Sequence, residues 1–195
     1  MTTSISEKWN RIYTATTEFP PPARVLSEND YLLPASGLAL DLACGLGGNA
    51  LYLAEKGLQV QAWDISQVAI DKVRKKSQQL GLRNLEARIM NAESLDWRQW
   101  QFDVIIVSRF LVRSLCPMIA AAVKPGGLLF YQTFVREKIA EVGPSNPDYL
   151  LKENELLHLF PELIVRVYRE EGRVGDPSRG LRNEAYLVGQ KPLCS

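Results

Sequence analysis

The sequence predicts an α/β fold in which a doubly wound, mostly parallel seven-stranded sheet is covered by helices on both faces. Short apolar runs alternate with helical patterns over residues 38–134, and such alternation is typical of parallel sheets. A glycine-rich turn directly follows the first apolar run, as it does in nucleotide-binding βα units. The chain beyond Leu163 carries two strands with no helical pattern between them, which predicts an antiparallel C-terminal edge.

The first elements are well delimited by their end signals. Residues 38–42 are a predicted strand, and residues 48–56 are a predicted helix that Gly57 ends. A second strand over residues 58–63 is followed by a helix over residues 66–80, for which Ser66 is a suitable N-cap and Gly81 a stop signal.

The later strands are recognised by their β-branched and aromatic residues. The run Phe102–Val107 is continuous and apolar, as expected of a strand that is buried on both faces. The turn Pro125-Gly126-Gly127 precedes the next strand. The further predicted strands are residues 85–90, 128–134, 163–168 and 185–188.

The glycine-rich turn predicts a site for a nucleotide-like ligand. Asp41 stands at the end of the first strand, and Gly45 and Gly47 would let the backbone come close to a ligand. Asp64 closes the second strand about 20 residues after the first glycine, the spacing at which a carboxylate takes a ribose diol. The alternatives are that Asp41 only caps a helix and that Gly47 or Gly48 only permits packing of a helix on the sheet.

The length and the net charge of the chain limit the functions that it can have. We expect 195 residues to form a single domain, with an N-terminal arm (1–20), a cofactor-binding core (36–134) and a C-terminal helix with an edge hairpin (135–195). The net charge of +1 provides no overall attraction to nucleic acid or to a membrane surface. No apolar run has the length of a secretion signal or of a membrane span. We therefore expect a cytoplasmic monomer or homodimer whose partner is a small molecule.

Cysteine and histidine usage predicts no metal site. Cys44, Cys116 and Cys194 lack paired spacing, and His158 is the sole histidine of the chain. We interpret the cysteines as free thiols. His158 is expected to be a partly exposed helix residue rather than a catalytic one.

Five segments carry a resemblance to a known family: residues 9–13, 41–49, 64, 91–93 and 123–129. With these, most of the chain resembles the class I S-adenosylmethionine-dependent methyltransferases, and within them the small bacterial tellurite-resistance methyltransferases. The glycine loop of the family is usually Asp-x-Gly-x-Gly-x-Gly, whereas here Ala43 stands at the first small position and Asn49 at the fourth. The resemblance implies a Rossmann-like methyltransferase fold, S-adenosyl-L-methionine as cofactor and methyl transfer as activity.

The resemblance also implies a set of cofactor contacts. Asp41 would provide negative charge to the methionine ammonium, directly or through water, and Asp64 would accept the two ribose hydroxyls. Asn91 stands where the family often has an Asp that reads the adenine, although an Asx-turn is an alternative role for it. The implied cofactor-binding residues are Asp41, Ala43, Cys44, Gly45, Gly47, Asn49, Asp64, Ile65, Asn91, Ala92, Glu93 and Ser108.

Two other functions fit parts of the sequence. Residues 45–50 satisfy the pattern G-x-G-x-x-A, and Asp64 stands at the ribose position of an NAD site, so an NAD(P)-type oxidoreductase is one alternative. The acidic residue at the head of the turn, the hairpin-like C-terminal edge and the short chain argue against it. The other alternative is a protein that binds S-adenosylmethionine without turnover, because methyl transfer needs no signature catalytic residue.

The segment after the fourth strand is the predicted acceptor site, since ligands lie at the carboxyl edge of such sheets. Arg109 and Arg113 would either bind an anionic acceptor through forked hydrogen bonds or pair with a structural carboxylate such as Glu93. The family commonly has an Asn near position 109 and a His-Arg pair ending at 113. Arg113 matches this pattern, Val112 replaces the His, and Arg109 departs from it. Tyr13 is the third candidate for contact with the substrate.

Methyl transfer from a sulfonium mainly requires alignment of the acceptor and exclusion of water. Soft acceptors such as a thiol, a selenide or a telluride need no general base, whereas an alcohol or an amine usually does. The sequence therefore assigns no catalytic residue, and it predicts a small acceptor that is soft or anionic.

Overall fold

Seven strands form one sheet in the computed structural model, which describes residues 4–193. They are β1 (Leu38–Leu42), β2 (Gln59–Asp64), β3 (Leu85–Ile89), β4 (Phe102–Ser108), β5 (Val123–Phe134), β6 (Ile164–Arg169) and β7 (Glu184–Gln190). Their spatial order is β3-β2-β1-β4-β5-β7-β6. Strands β1 to β5 are parallel, and β7 runs antiparallel to both of its neighbours. The predicted fold class is confirmed.

Helices cover both faces of this sheet. In the described range the α-helices are α1 (Ile5–Ala15), α2 (Arg24–Ser27), α3 (Gly48–Glu55), α4 (Gln67–Gln79), α5 (Cys116–Ala122) and α6 (Glu155–Leu159). None of them is long and apolar enough to cross a membrane. The predicted N-cap of α4 is present, because the Ser66 hydroxyl accepts a hydrogen bond from the Ala69 N–H.

Alternating residues of β4 show how the two core layers form. Val104 and Ile106 pack in the layer that contains α2, α3 and α4. Ile105 and Val107 pack in the layer that contains α5 and α6. All four side chains are fully buried, because successive residues of a strand point to opposite faces of the sheet. This burial explains the continuous apolar run in the sequence.

The segment Pro125-Gly126-Gly127 differs from its prediction as a turn, because it lies inside β5. Gly126 has a φ of +78°, and its N–H donates to the Lys191 carbonyl at 2.9 Å. The Lys191 N–H in turn donates to the Gly127 carbonyl at 3.0 Å. The glycines therefore bend the start of the strand, which pairs with the chain that follows β7.

The C-terminal strands form the predicted antiparallel pair. β7 is inserted between β5 and β6 and is buried along nearly its whole length, whereas β6 is the outer strand. Cys44 and Cys116 are buried free thiols, as predicted. Cys194 and residues 1–3 of the predicted arm lie outside the described residues.

Candidate functional site

Two carboxylates lie at the carboxyl ends of the neighbouring parallel strands β1 and β2. Asp41 is the penultimate residue of β1 and Asp64 is the last residue of β2. Asp64 accepts the Gly45 N–H at 2.9 Å on one carboxylate oxygen and the Ser66 N–H at 2.8 Å on the other. The second strand thereby holds both the glycine-rich turn and the start of α4.

Asp64 is suited to bind a vicinal diol. Each carboxylate oxygen has about two lone-pair positions, and each accepts one of the two backbone N–H groups. By lone-pair count each oxygen can accept one further hydrogen bond, as from a ribose hydroxyl, and the Asp64 residue itself is 6% exposed. Burial raises the pKa of this carboxyl, while the N–H groups of Ser66 and Gly45 act in the opposite direction. The residues present fit the ribose of the implied cofactor.

Asp41 lies beneath the turn and is fully buried. It accepts the Ala50 N–H at 2.9 Å and the Asn49 side-chain amide at 3.5 Å, so it satisfies donors at the start of α3, as the helix-cap alternative predicts. Burial raises the pKa of the Asp41 carboxyl to about 7, and the neighbouring Asp64 carboxylate adds to this increase. Because its oxygens are enclosed, Asp41 would act on a cofactor cation through its charge.

The backbone of the turn adopts the left-handed conformation at every second residue. The φ angles are +55° at Ala43, +53° at Gly45 and +76° at Gly47. A non-glycine residue in this region costs about 1–2 kcal/mol, which explains why the family usually has glycine where this chain has Ala43. The turn is therefore held under local strain by the contacts around it.

The two glycines of the turn have different neighbours. A Cβ atom on Gly45 would lie 2.7 Å from the Tyr13 hydroxyl oxygen, so Gly45 permits close approach of the N-terminal arm. A Cβ atom on Gly47 would lie 2.8 Å from a methyl carbon of Val73 in α4. Gly47 therefore permits close packing of the turn against α4, which differs from the packing of a helix on the sheet that the alternative predicts.

The segment after β3 holds the residues predicted to contact adenine. Asn91 is exposed, and its side-chain oxygen accepts the Glu93 N–H at 3.1 Å, which is the Asx-turn alternative. The Trp97 indole donates to the Ala92 carbonyl at 2.9 Å and fixes this segment from below. Ile65, like Ala92, is half-buried. Contact of these residues with adenine stays a prediction.

The arm helix α1 is attached to α4 by polar contacts from its middle and from its C-terminal end. The Asn10 side-chain oxygen accepts the Ser66 hydroxyl at 2.6 Å and the Val68 N–H at 3.3 Å. The Lys72 ammonium donates to the carbonyls of Tyr13 at 2.5 Å and Thr16 at 2.7 Å. The arm therefore lies across the loop that follows Asp64.

Tyr13 is the arm residue closest to the turn. Its ring stacks on Trp9 with 5.6 Å between ring centroids. Burial raises the pKa of the Tyr13 hydroxyl, and the carboxylates of Asp64 and Asp41 add to that increase. The hydroxyl consequently stays protonated and is available as a hydrogen-bond donor over the glycine turn.

The chain after the arm is fixed by two buried carboxamides. The Asn49 side-chain oxygen accepts the Ala23 N–H at 2.8 Å, and its amide donates to the Ser108 hydroxyl at 3.0 Å. Gln132 accepts the Val25 N–H at 2.7 Å. Gln132 was not among the predicted site residues, although a polar residue near the end of an apolar strand is a recognisable signal.

The two arginines of the acceptor segment have different surroundings. Arg113 binds both oxygens of Glu155, at 2.8 and 2.9 Å, and it also donates to two backbone carbonyls. Arg109 donates to Glu184 at 2.8 Å through Nε alone. Each arginine therefore has a carboxylate partner, but neither partner is Glu93.

The fold and the strand-end site are similar to those of the class I S-adenosylmethionine-dependent methyltransferases, which use S-adenosylmethionine as cofactor. The similarity to a protein family is located in one part of the chain. Residues 39–127, from β1 into β5, match the family described as a methyltransferase domain. The matched region contains the glycine-rich turn and both strand-end aspartates.

Curated methyltransferases are among the proteins that are similar to this chain. The chain is 32% identical over 129 residues to the putative methyltransferase YqeM of Bacillus subtilis (strain 168), covering 58% of this chain and 49% of YqeM. It is 29% identical over 134 residues to a ubiquinone biosynthesis O-methyltransferase of Stutzerimonas stutzeri (strain A1501), covering 62% of this chain and 56% of the relative. The chain thus spans about half the length of these curated relatives.

The fold is shared with solved structures. TehB from Haemophilus influenzae superposes with a TM-score of 0.68, covering 95% of this chain and 66% of TehB. Sequence identity to TehB is 19%, so the similarity concerns the fold alone.

Proposed function

We propose that this protein transfers a methyl group from S-adenosylmethionine to a small-molecule acceptor at the carboxyl edge of the sheet. The observation that carries the proposal is the Asp64 carboxylate. It is fixed beside the glycine-rich turn by the N–H groups of Gly45 and Ser66 and retains acceptor capacity for a ribose diol. The proposed cofactor residues are those predicted from the sequence.

Each of these residues has a separate task. Bound S-adenosylmethionine supplies a methyl group on a positively charged sulfur, which is already activated for displacement. Asp64 binds the two ribose hydroxyls, and Asp41 stabilises positive charge from beneath the turn. Tyr13 and the arm helix cover the turn and exclude water from it. His158 is exposed and its ring Nδ1 lies 3.0 Å from the Asn154 carbonyl oxygen, so it is not assigned as a base.

The acceptor is proposed to be soft or anionic. A thiolate, a selenide or a telluride attacks without prior removal of a proton, which is consistent with a site to which no base is assigned. The name of the ubiquinone biosynthesis relative points instead to an oxygen acceptor in that protein. An oxygen acceptor would require a base near the transferred methyl group.

A small molecule is a better acceptor for this chain than a nucleic acid. The 23 basic and 22 acidic residues nearly cancel, whereas nucleic-acid binding requires a strongly basic surface. We further propose that the arm, the core and the C-terminal segment act as one domain, in a cytoplasmic monomer or homodimer.

Methyl transfer is tested with S-adenosylmethionine carrying a tritiated methyl group. The protein is incubated with matched thiols, selenols and phenols, and transfer of label to each acceptor is counted. We expect labelled thioether or selenoether product, and loss of transfer in Asp64→Ala. Tight binding of S-adenosylhomocysteine without transfer to any acceptor would favour a non-catalytic binding protein.

A further inference from the structure

Arg109 has an unusual backbone conformation at the end of β4. Its φ is +55°, a left-handed conformation that is energetically unfavourable for a long side chain. The conformation is held by a hydrogen bond of 2.8 Å from the Arg109 N–H to the Gln132 carbonyl. Strained residues that the surrounding structure holds in place are concentrated at ligand sites.

A buried polar network fixes the direction of the Arg109 side chain. Its Nε donates to Glu184 at 2.8 Å, and the side chain of Glu184 is only 8% exposed. The other Glu184 oxygen accepts the Gln132 amide, while Gln132 also holds the Val25 N–H. The Arg109 guanidinium carbon lies 5.7 Å from the ring centroid of Phe134. The guanidinium is thus held in place by groups that are themselves buried.

The outer part of this guanidinium remains available. Nε makes the one hydrogen bond that the Arg109 side chain forms within residues 4–193, so Nη1 and Nη2 keep four donors, and the side chain is 62% exposed. Arg113 differs, because its Nε, Nη1 and Nη2 all donate to Glu155 or to backbone carbonyls. The two terminal nitrogens of a guanidinium, Nη1 and Nη2, form a fork of donors. This fork is free in Arg109 and occupied in Arg113.

We propose that Arg109 binds a carboxylate group of the methyl acceptor through Nη1 and Nη2, with the Phe134 ring beside it for an apolar part of the same molecule. Two parallel N–H donors match the two oxygens of a carboxylate. Arg109 follows β4, which neighbours β1 and its glycine-rich turn, at the edge where ligands of such sheets lie. The inference rests on the proposed function and selects the anionic class of acceptor.

The test measures anion binding to the complex of the protein with S-adenosylhomocysteine. Benzoate, phenylacetate and mercaptoacetate are titrated, each against its neutral amide, and the Arg109 Nε–Hε resonance is followed by NMR. Arg109→Gln removes the guanidinium and its charge. Arg109→Lys keeps a positive charge beside Glu184 but lacks the fork of two terminal donors. Arg166→Gln on the outer strand β6, where Arg166 bonds Gln190, is the control for loss of a surface guanidinium.

We expect at least one of the anions to bind more tightly than its amide and to shift the Arg109 resonance. Arg109→Gln should weaken that binding about tenfold or more, and Arg109→Lys should restore it only in part, since a single ammonium does not replace a fork. Arg166→Gln should bind as the wild type does.

Three outcomes would overturn the inference. The first is that every anion binds no better than its amide, and the second is that Arg109→Gln leaves anion binding unchanged. The third is full rescue by Arg109→Lys, which would show that Arg109 only neutralises Glu184. In each case intact binding of S-adenosylhomocysteine leaves the proposed function standing, whereas loss of that binding in the wild type refutes both.

Discussion

Asp64 connects the turn, the start of α4 and the proposed ribose site through a single carboxylate. We expect Asp64→Ala to weaken binding of S-adenosylhomocysteine by about 1.5–3 kcal/mol, the size of lost hydrogen bonds to a charged group. The measurement is calorimetric titration of folded protein, with Asp64→Asn as a variant that keeps the side-chain shape.

Asp71→Ala is the matched control, because Asp71 is an exposed aspartate on α4 that pairs with Arg74. It should leave the affinity unchanged. If Asp64→Ala, folded to the same extent, bound with wild-type affinity, Asp64 would not contact the cofactor.

Asp41 makes the stability of the fold depend on pH. Burial raises its pKa to about 7 in the folded chain, against about 3.9 for an ordinary Asp. The folded chain thus keeps a proton that the unfolded chain releases above about pH 4. The favourable contribution is complete below that pH and is lost as the pH rises through about 7.

Asp41→Asn mimics the protonated carboxyl at every pH. The free energy of unfolding of the wild type should therefore fall relative to that of the variant by about 1 kcal/mol per pH unit between pH 5 and 7. Urea denaturation of both proteins at pH 5, 6, 7 and 8 measures the difference. A constant difference across this range would show that Asp41 is ionised throughout.

For single residues, the local sequence pattern predicted the place of some side chains in the fold but not the contacts of others. The strand-end positions of Asp41 and Asp64 follow from the strand patterns that directly precede each residue in the sequence. The carboxylate partners of Arg109 and Arg113 could not be predicted, because Glu184 and Glu155 are distant in sequence and approach only through sheet pairing and loop packing. Glu93 was the wrong partner because it follows β3, an edge strand that β2 and β1 separate from β4.

At the scale of elements, attachment of α1 to α4 depends on a lysine. The Lys72 ammonium donates to two carbonyls at the C-terminal end of α1, where a positive charge also favours the helix dipole. We expect Lys72→Met to release the arm and to raise amide hydrogen exchange in α1 severalfold, with little change in β1 or β4.

Lys75→Met serves as the control on the same helix, because Lys75 is exposed. Amide hydrogen exchange in α1 of Lys75→Met should equal that of the wild type. Equal protection of α1 in Lys72→Met would mean that Asn10 and the aromatic pair hold the arm without the lysine.

The boundaries of the elements were predictable where caps and periodicity coincide, as for α4 with its Ser66 cap. The segment Pro125-Gly126-Gly127 was misread as a turn because its residue types favour turns. Its pairing as a bent start of β5 depends on Lys191, which lies beyond β7 and is distant in sequence.

At the scale of the whole molecule, the fold brings three distant parts of the chain to one edge of the sheet. The segment after the arm, the end of β4 and the β5–β7 pair are joined there by Asn49, Gln132 and Glu184. The positions of Asp41, the glycine-rich turn and Asp64 at this edge could be predicted from motif spacing, since these residues lie within two successive βα units. The surroundings of Arg109 depend on Glu184 in the inserted strand β7, which motifs do not encode.

Calorimetric titration with S-adenosylmethionine, S-adenosylhomocysteine and NAD in parallel decides which nucleotide the glycine-rich turn binds. We expect both sulfur ligands to bind with micromolar affinity, and NAD to give no heat of binding. At one hundred times the dissociation constant, S-adenosylhomocysteine should also stabilise the fold by about 2.7 kcal/mol. Binding of NAD without binding of either sulfur ligand would contradict the account.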